Sequence, residues 1–497
     1  MTFTNEPIAA LRHADLFFIG GEWVKPSSDA KIEVTDSGTE EFVFSVAEAQ
    51  AEDVSRAVGA AREAFDGGPW PRMTHAQRAE YLRAMAKGLR ERAAEVAEIW
   101  PRETGVLHAV AQGAGEEAAK IFEYYAGLAD TYSFEEPATP TAGGEFGLIV
   151  REPVGVVGAI VPWNAPLVLI AYKIGPALLA GCTVIVKSSP EAPAEGYLVA
   201  EIAESIGLPA GVLNVVTADR EVSELLVSDR RVDKITFTGS TAAGRKIGAI
   251  LGGRIARCTL ELGGKSAAVI LDDADLAQAA AALAGAEIFV SGQVCSSLTR
   301  VVVSRGRHDE MVEALSSIFA QVKVGDPFDP ESQMGPLAAE RQRDRVLGYV
   351  ARGIADGAVL ATGGGRPKDL KRGWYVEPTV FGNVDNSSAL AQEEIFGPVL
   401  SVIPADNEQE AVNIANDTIY GLNASVFTND IERARDVARQ LRSGTVGHNS
   451  FRTDFGIAFG GFKQSGIGRE GGTEGLAPFL ETKTVILEGR PASYVNG

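Results

Sequence analysis

Cysteine is scarce in this chain and never paired. Three cysteines among 497 residues (Cys182, Cys258 and Cys295) form no CxxC and cannot build a disulfide framework. Five histidines without Cys/His clustering offer no ligand spacing, so no metal site is expected. Positive charge is short as well, with 46 Lys and Arg against 66 Asp and Glu and a formal charge of −20. Such a chain has little with which to neutralise phosphates, which argues against nucleic acid as a partner; the excess negative charge serves solubility. No run approaches the roughly 18 uninterrupted apolar residues of a membrane helix, so no membrane partner is expected. The opening MTFTNEPIAALRHADLFF carries acids and no long apolar core, unlike a secretory signal. With its free thiols, the chain is expected in a reducing cytoplasm.

What is present is length and glycine. At 497 residues the chain exceeds what one hydrophobic core organises and should divide into two or three domains. Its 55 glycines and alanine-rich stretches suit an α/β enzyme, with tight strand-to-helix turns. Residues 7–46 look strand-rich, with Gly20-Gly21-Glu22-Trp23 as a hairpin turn. From Ala51 to Tyr132 apolar residues recur at helical spacing. Pro137, Pro140 and Gly143-Gly144 break that pattern, and FGLIVREPVGVVGAIVP then predicts an extended ribbon running into a buried strand. Between 155 and 270 the runs VGVVGAIV, CTVIVK, VLNVV, KITFTG and AAVIL alternate with helical stretches, which predicts a parallel sheet in an α/β domain. A second α/β unit follows, with helices over 275–291 and 308–322 and strands TRVVVS, VLSVIPA and ASVFT. A last β run, TKTVILEG at 482–489, is free to pair outside its own domain.

Several residues stand where chemistry would need them, although each alone has a plainer reading. Cys295 in Gly292-Gln293-Val294-Cys295 follows a helical segment, where backbone N–H groups can face the sulfur and favour the thiolate. The plainer reading is a small buried hydrophobe, kept for Cys182 and Cys258 in their apolar strands. Glu261, between Leu260 and Leu262, ends an apolar strand; desolvation there would raise its pKa as a general base requires, or else it is an exposed strand end. The following Gly263-Gly264-Lys265-Ser266 imitates a P-loop but has Thr259 where that pattern needs Gly. In FTGSTAAG at 237–244, Gly239 ends a strand and Ser240 can cap the next helix, making a pyrophosphate site or a plain βα turn. Asn164, after Pro162-Trp163, and Lys187 end neighbouring strands and would face the ligand crevice of an α/β sheet. The amide could serve an oxyanion or a turn, and the lysine a ribose, a phosphate or solvent.

Together these segments resemble the aldehyde dehydrogenase superfamily over nearly the whole chain. PWN at 162–164, Lys187, FTGSTAAG at 237–244, ELGGK at 261–265, GQVC at 292–295, EEIFGPV at 393–399 and SGIGRE at 465–470 occur in the family's order. Glu261 and Cys295 keep the family's separation of 34 positions. The resemblance implies a non-acylating, NAD(P)-dependent enzyme that oxidises a small-molecule aldehyde to a carboxylic acid. By it, Cys295 attacks the aldehyde carbon while the Asn164 amide and the Cys295 N–H hold the oxyanion. Hydride passes to the nicotinamide, Glu261 activates the water that hydrolyses the thioester, and Glu470 relays the proton. Trp163, Lys187, Gly239, Ser240, Gly244 and Leu262 would line the cofactor cleft, with Glu394 on the nicotinamide ribose and Phe396 against the ring. Ala165, Tyr172, Phe289, Val294, Phe451, Phe455 and Phe459 would line or approach the substrate pocket, favouring apolar or aromatic aldehydes. Arg452 nearby could greet a carboxylate or stay on the surface.

The implied architecture is two α/β domains plus a small β flap. These are a Rossmann-like cofactor domain (1–132 and 152–262), a catalytic domain (263–464) and an oligomerisation flap (133–151 and 478–497), giving a homodimer or homotetramer. One departure concerns the cofactor. NAD-preferring members often carry Glu three places after the cofactor lysine, and here Pro190 stands there. NAD is expected, while loss of that carboxylate removes repulsion against a 2′-phosphate and makes NADP more plausible than usual. The rival reading is an acylating dehydrogenase, in which coenzyme A resolves the thioester; the presence of Glu261 argues for water. A non-catalytic descendant of the scaffold would have lost Cys295, Glu261 or Asn164, and all three are present.

Overall fold

The computed structural model describes residues 11–494. Residues 1–10, part of the segment judged unlike a signal, and 495–497 of the expected flap lie outside the described residues. Strands β1 (Phe17–Ile19) and β2 (Glu22–Val24) form the expected hairpin, turning through Gly20 and Gly21 at φ 67° and 84°, where a Cβ would be strained. β3 (Lys31–Thr35) and β4 (Phe42–Ala47) pair with each other. The helical stretch becomes α1 (Ala51–Asp66), α2 (His75–Glu91), α3 (Ala93–Thr104), α4 (His108–Ala111) and α5 (Ala114–Thr131), followed by β5 (Glu135–Ala138) and β6 (Phe146–Pro153).

The first α/β unit alternates β7 (Val156–Ile160), α6 (Pro166–Ala180), β8 (Thr183–Ser188), α7 (Ala194–Ser205), β9 (Leu213–Thr217), α8 (Arg220–Ser228), β10 (Lys234–Thr238), α9 (Thr241–Gly253) and β11 (Arg257–Glu261). The second holds β12 (Ala267–Ile270), α10 (Leu276–Ile288), β13 (Arg300–Ser304), α11 (His308–Phe319), α12 (Glu340–Ala355), β14 (Val359–Thr362), β15 (Thr379–Gly382), β16 (Val399–Ala405), β17 (Asn423–Phe427) and β18 (Thr445–His448). β19 (Gly466–Ile467) and β20 (Leu480–Leu487) close the chain. The first sheet runs β19-β11-β10-β7-β8-β9-β1-β2 and the second β14-β15-β16-β13-β12-β17-β18.

Strands β7 to β11 are mutually parallel, and alternate residues enter opposite cores. Val156 and Ile160 pack with Val54 of α1, Leu226 of α8 and Ile247 of α9; Val157 and Ala159 pack with Leu82 of α2, Phe122 of α5 and Ile174 of α6. A strand covered by helices on both faces must be apolar throughout, which explains the unbroken runs.

Two expectations are corrected. AAVIL does not belong with the first sheet: β12 pairs in parallel with β13 and β17 in the second. A run apolar on both faces reads the same in either sheet, so its partner is a tertiary fact. The helix expected over 275–291 stops at Ile288. The ribbon and the stray terminal strand do meet, with β20 pairing along the whole of β6, Leu480 with Pro153 through to Leu487 with Phe146, and β5 on the far side. Among the described residues no helix is long and apolar enough to cross a membrane.

Candidate active site

The nucleophile candidate follows the helix that ends early. Past Ile288 the chain makes a tight turn with Val290, Ser291 and Gly292 at φ 49°, 55° and 72°. A β-branched residue in the left-handed region costs about 1–3 kcal/mol and persists only where its surroundings enforce it. Here the Ser291 hydroxyl donates to the Gly335 carbonyl at 2.9 Å, and Gln293 Oε1 accepts the Ala338 N–H at 3.0 Å. A Cβ on Gly292 would fall 2.4 Å from the Gly397 carbonyl carbon, so the turn passes that backbone only as glycine. Asn164, beyond the end of β7, donates through Nδ2 to the Gln293 carbonyl at 2.9 Å, which brings its amide to the cysteine loop. A primary amide has two N–H donors, so one remains for another acceptor.

Glycine also joins Glu261 to Cys295. Beyond β11 the chain runs Leu262-Gly263-Gly264, and a Cβ on Gly264 would fall 2.2 Å from the Cys295 carbonyl oxygen. One on Gly263 would fall 2.4 Å from Glu394 Oε2. The ELGGK segment thus draws Glu261, Cys295 and Glu394 together by backbone contact. Glu261 is 2% exposed, and neither of its carboxylate oxygens has a hydrogen-bond partner among the described residues. Burial, and then repulsion from Glu470, raises its pKa well above the carboxylate range, against the pull of Lys173 and Arg469. Glu470 is buried as well. It accepts from Lys173 Nζ at 2.5 Å and from the Thr236 hydroxyl at 3.3 Å, and Lys173 also donates to Thr238 Oγ1 at 2.7 Å.

The thiol meets the expected dipoles, but the charges that act on it most are those of acids. Burial, then the charges of Glu394 and Glu261, push the Cys295 pKa up, and the N–H groups of Ser296 and Cys295 offset this only in part. A thiol so placed needs a base to take its proton, and Glu261 is a strongly basic carboxylate on the same wall.

Away from Cys295 the wall passes Thr238, Gly239 and Ser240 to the start of α9. There the Ser240 hydroxyl accepts the Ala243 N–H at 3.2 Å, and the 13-residue helix presents its positive end to the cavity. Glu394 Oε1 accepts the Gly264 N–H at 3.1 Å, and burial lifts this carboxyl to about 7 despite that bond. Phe396, at φ 62°, meets Trp163 edge-on with ring centroids 5.4 Å apart. An anion-binding helix end, an aromatic pair and a half-buried carboxylate are the set that a pyrophosphate, a flat ring and a ribose require.

One cavity of about 800 Å³ joins these groups, large enough for a dinucleotide end and a substrate. It is lined by Cys295, Glu261, Asn164 and Glu470, by Trp163, Gly239, Ser240, Leu262, Glu394 and Phe396, and by Ala165, Phe289, Val294, Phe451, Phe455 and Phe459. Three expected residues are not on its lining. Tyr172 is buried and stacks on Phe455 at 4.0 Å, holding that ring in place. A Cβ on Gly244 would fall 2.4 Å from Leu262 Cδ2, so Gly244 lets α9 pack against the cavity wall. Lys187 is buried at the end of β8, and burial lowers its pKa to about 8 against the pull of Glu191 and Asp219. Arg452 is exposed and off the lining.

The aldehyde dehydrogenase family model matches residues 23–485. Geranial dehydrogenase of Castellaniella defragrans is 43% identical over 473 residues, spanning 95% of this chain and 98% of the relative. The chain belongs to the aldehyde dehydrogenase family. It is an NAD(P)-dependent oxidoreductase acting on an aldehyde, as its motifs implied. Two solved members have the same fold over nearly their full lengths. Mycobacterium tuberculosis aldehyde dehydrogenase complexed with NAD+ is 45% identical with a TM-score of 0.93, covering 97% of this chain and 99% of that one. A mutant aldehyde dehydrogenase C from Pseudomonas syringae complexed with NAD+ and octanal is 39% identical with a TM-score of 0.92, covering 96% and 98%.

For an aldehyde dehydrogenase, some site residues escaped the sequence reading. Lys173 left a usable signal, a lone cation in the otherwise apolar helix α6 that had to be paired if buried. Trp100, Val110, Glu117, Arg220, Arg341 and Arg345, all on the cavity lining, left none, since each lies in an ordinary amphipathic or loop context.

Proposed function

We propose that Cys295 is the nucleophile, Asn164 with the Cys295 N–H the oxyanion site, and Glu261 the base of an aldehyde-to-acid oxidation. The observation that carries this reading is the single wall on which all three meet the groups suited to a dinucleotide. Glu261 takes the thiol proton and the Cys295 sulfur adds to the aldehyde carbon, turning its oxygen into an oxyanion beside the Asn164 amide. When bound there, the nicotinamide supplies the acceptor for the hydride that leaves this carbon. The thioester that remains on Cys295 is attacked by water as Glu261 removes its proton, releasing acid and thiol. Glu470, Lys173 and Thr238 form the route by which Glu261 sheds the thiol proton before hydrolysis, and the proton it then takes from water returns to the departing Cys295 sulfur. Ser240 and the α9 N–H groups hold the pyrophosphate, Lys187 the adenosine ribose, Glu394 the nicotinamide ribose, and Trp163 and Phe396 border the ring.

NAD is the proposed cofactor. Pro190 carries no carboxylate, but Glu191 lies next in sequence and its charge reaches Lys187. Glu191 is held ionised by Arg341 and Ser189 although burial opposes it, and a carboxylate there disfavours a 2′-phosphate. The kcat/KM should therefore favour NAD over NADP at equal aldehyde. A preference for NADP above about tenfold, or 1.4 kcal/mol, would overturn this assignment.

The proposed substrate is an apolar or aromatic aldehyde. Phe289, Phe451, Phe455 and Phe459 line the cavity together with Glu117, while Arg452 is exposed and off the lining. Octanal should exceed a carboxylate-bearing semialdehyde in kcat/KM by about tenfold or more, because the carboxylate would be desolvated without a partner. Equal rates for the two would refute the apolar assignment.

Residues 1–132 with 152–262 are assigned to cofactor binding, 263–464 to catalysis, and 133–151 with 478–497 to a flap. Strand β20 is a free edge of that flap and carries exposed Ile486. Its pairing with a second copy would cover both features, which favours a homodimer or homotetramer. The free thiols suit the cytoplasm.

A further inference from the structure

A second buried charge cluster lies beneath the cysteine loop, separate from the Glu261–Glu470–Lys173 chain. Glu287, on the last turn of α10, is 1% exposed. One of its carboxylate oxygens accepts the hydroxyl of Ser297, two residues past Cys295, and the other has no hydrogen-bond partner among the described residues. Lys265 is equally buried, and its ammonium also lacks a partner among the described residues. The charges of Glu287, Glu394, Glu393 and Arg300 reach the ammonium, although it forms no hydrogen bond with any of them among the described residues. Glu287 faces Lys265 in return, along with the Ser297 hydroxyl and the Val399 N–H. Arg300 itself is occupied, donating to the carbonyls of Lys265, Ile414 and Ala415 and to Asn386.

Such groups are expensive to bury, and apolar residues would fill the space at less cost. Their placement suggests what they provide. The strained turn at Val290 and Ser291 stores conformational energy that would relax if the loop came free. Glu287 lies immediately before that turn and grips the loop again immediately after Cys295, so both ends of the nucleophile's segment are tied to one carboxylate-bearing helix turn. Lys265 stands one residue beyond Gly264, whose Cα rests against the Cys295 carbonyl and whose N–H holds Glu394. Its ammonium is within electrostatic reach of both the carboxylate that grips the loop and the one assigned to the cofactor ribose.

We propose that Glu287 and Lys265 are positioning residues that clamp the Cys295 loop from below, Glu287 through the Ser297 hydroxyl and Lys265 by balancing the charges of Glu287 and Glu394. The clamp rests on the reading of Cys295 as nucleophile, and its chemistry is geometric: no bond to substrate is made or broken at either residue. Burial and Arg300 hold the Lys265 ammonium down to about 7, and burial lifts Glu287 to about 8, against their mutual attraction.

The test is the alkylation of Cys295 by iodoacetamide, followed across pH and localised by mass spectrometry, beside kcat and KM for octanal and NAD+ in wild type, Glu287→Ala, Glu287→Gln, Ser297→Ala and Lys265→Met. Glu287→Ala should slow alkylation and kcat together by about tenfold or more, because a displaced nucleophile loses its attack geometry, while the KM for NAD+ stays within about threefold. Glu287→Gln keeps an oxygen for the Ser297 hydroxyl and should recover most of both rates. Ser297→Ala, which removes one oxygen atom, should reproduce the loss and serves if Glu287→Ala does not fold. Lys265→Met should alter the pH dependence of alkylation. Alkylation and kcat within about twofold of wild type in Ser297→Ala and Glu287→Ala, even with a lowered Tm, would overturn the clamp, as would a Glu287→Gln protein as impaired as Glu287→Ala. Iodoacetamide reacting at Cys295 without loss of turnover in wild type would instead sink the nucleophile assignment itself.

Discussion

Changing Cys295 to Ser is expected to lower dehydrogenase turnover by more than about a thousandfold, because a hydroxyl is a far poorer nucleophile than a thiolate. Cofactor affinity should stay within about threefold, since the proposed dinucleotide contacts lie on α9, Glu394 and the Trp163–Phe396 pair, and uniform binding is separable from the chemical step. NADH formation with octanal measures the first and titration calorimetry with NAD+ the second. The thiol stands in a cavity wall beside two carboxylates that push its pKa up, so its attack depends on proton transfer to a base. A serine in that place has an even less acidic proton and the same surroundings. Residual turnover above about a tenth of wild type would remove Cys295 from the mechanism, because loss of a covalent nucleophile costs far more than that.

Glu261→Gln is expected to separate the two halves of the reaction. The amide is nearly isosteric, so the thioester should still form, but it cannot accept a proton from water, and hydrolysis should slow by about a hundredfold to ten-thousandfold. A burst of NADH should appear, at a slower rate than wild type because the thiol has lost its acceptor. Mass spectrometry of the quenched protein should then show Cys295 carrying the acyl group. The pH dependence follows from the sign of the shift. Burial and Glu470 raise the Glu261 pKa, so the basic form that deacylation needs is gained as pH rises through that raised value and lost below it. In wild type, single-turnover hydrolysis should therefore climb with pH well above the ordinary carboxylate range, and in Glu261→Gln this limb should vanish. Unchanged steady-state turnover, or no acyl adduct despite slow turnover, would exclude Glu261 as the base. If coenzyme A were needed to release the acyl group from wild-type protein, the acylating alternative would replace hydrolysis.

Much of the site was legible because its residues carry backbone constraints as well as chemistry. Gly263 and Gly264 appear in sequence as part of a motif, and in the fold a Cβ on either would strike Glu394 or the Cys295 carbonyl. Ser240 was legible as a cap because a hydroxyl at a strand-to-helix turn satisfies a free helix N–H, and it accepts from Ala243. Glu261 was suspected because a carboxylate between leucines is costly, and it is buried without a partner among the described residues. Other features were hidden. The left-handed turn at Val290 and Ser291 follows no local preference, since β-branched residues avoid that region, and it is held by distant backbone, through the Gly335 carbonyl and the Ala338 N–H. The Lys173–Glu470 pair joins residues 297 apart in the chain, a separation no periodicity encodes.

By itself the sequence determined what local chemistry can specify. It set the helices and the doubly buried strands through apolar spacing, the turns through glycine, and the cast of nucleophile, carboxylate and amide through motifs in a family's order. Only the tertiary structure decided which sheet AAVIL joined, which carboxylates would face one another, and whether the cysteine would sit beside cations or acids. The physical reason is range. Propensity and capping act over a few residues, whereas desolvation and charge coupling depend on which distant side chains share a low-dielectric space, and that is settled only when the two sheets pack around the segment between Glu261 and Lys265.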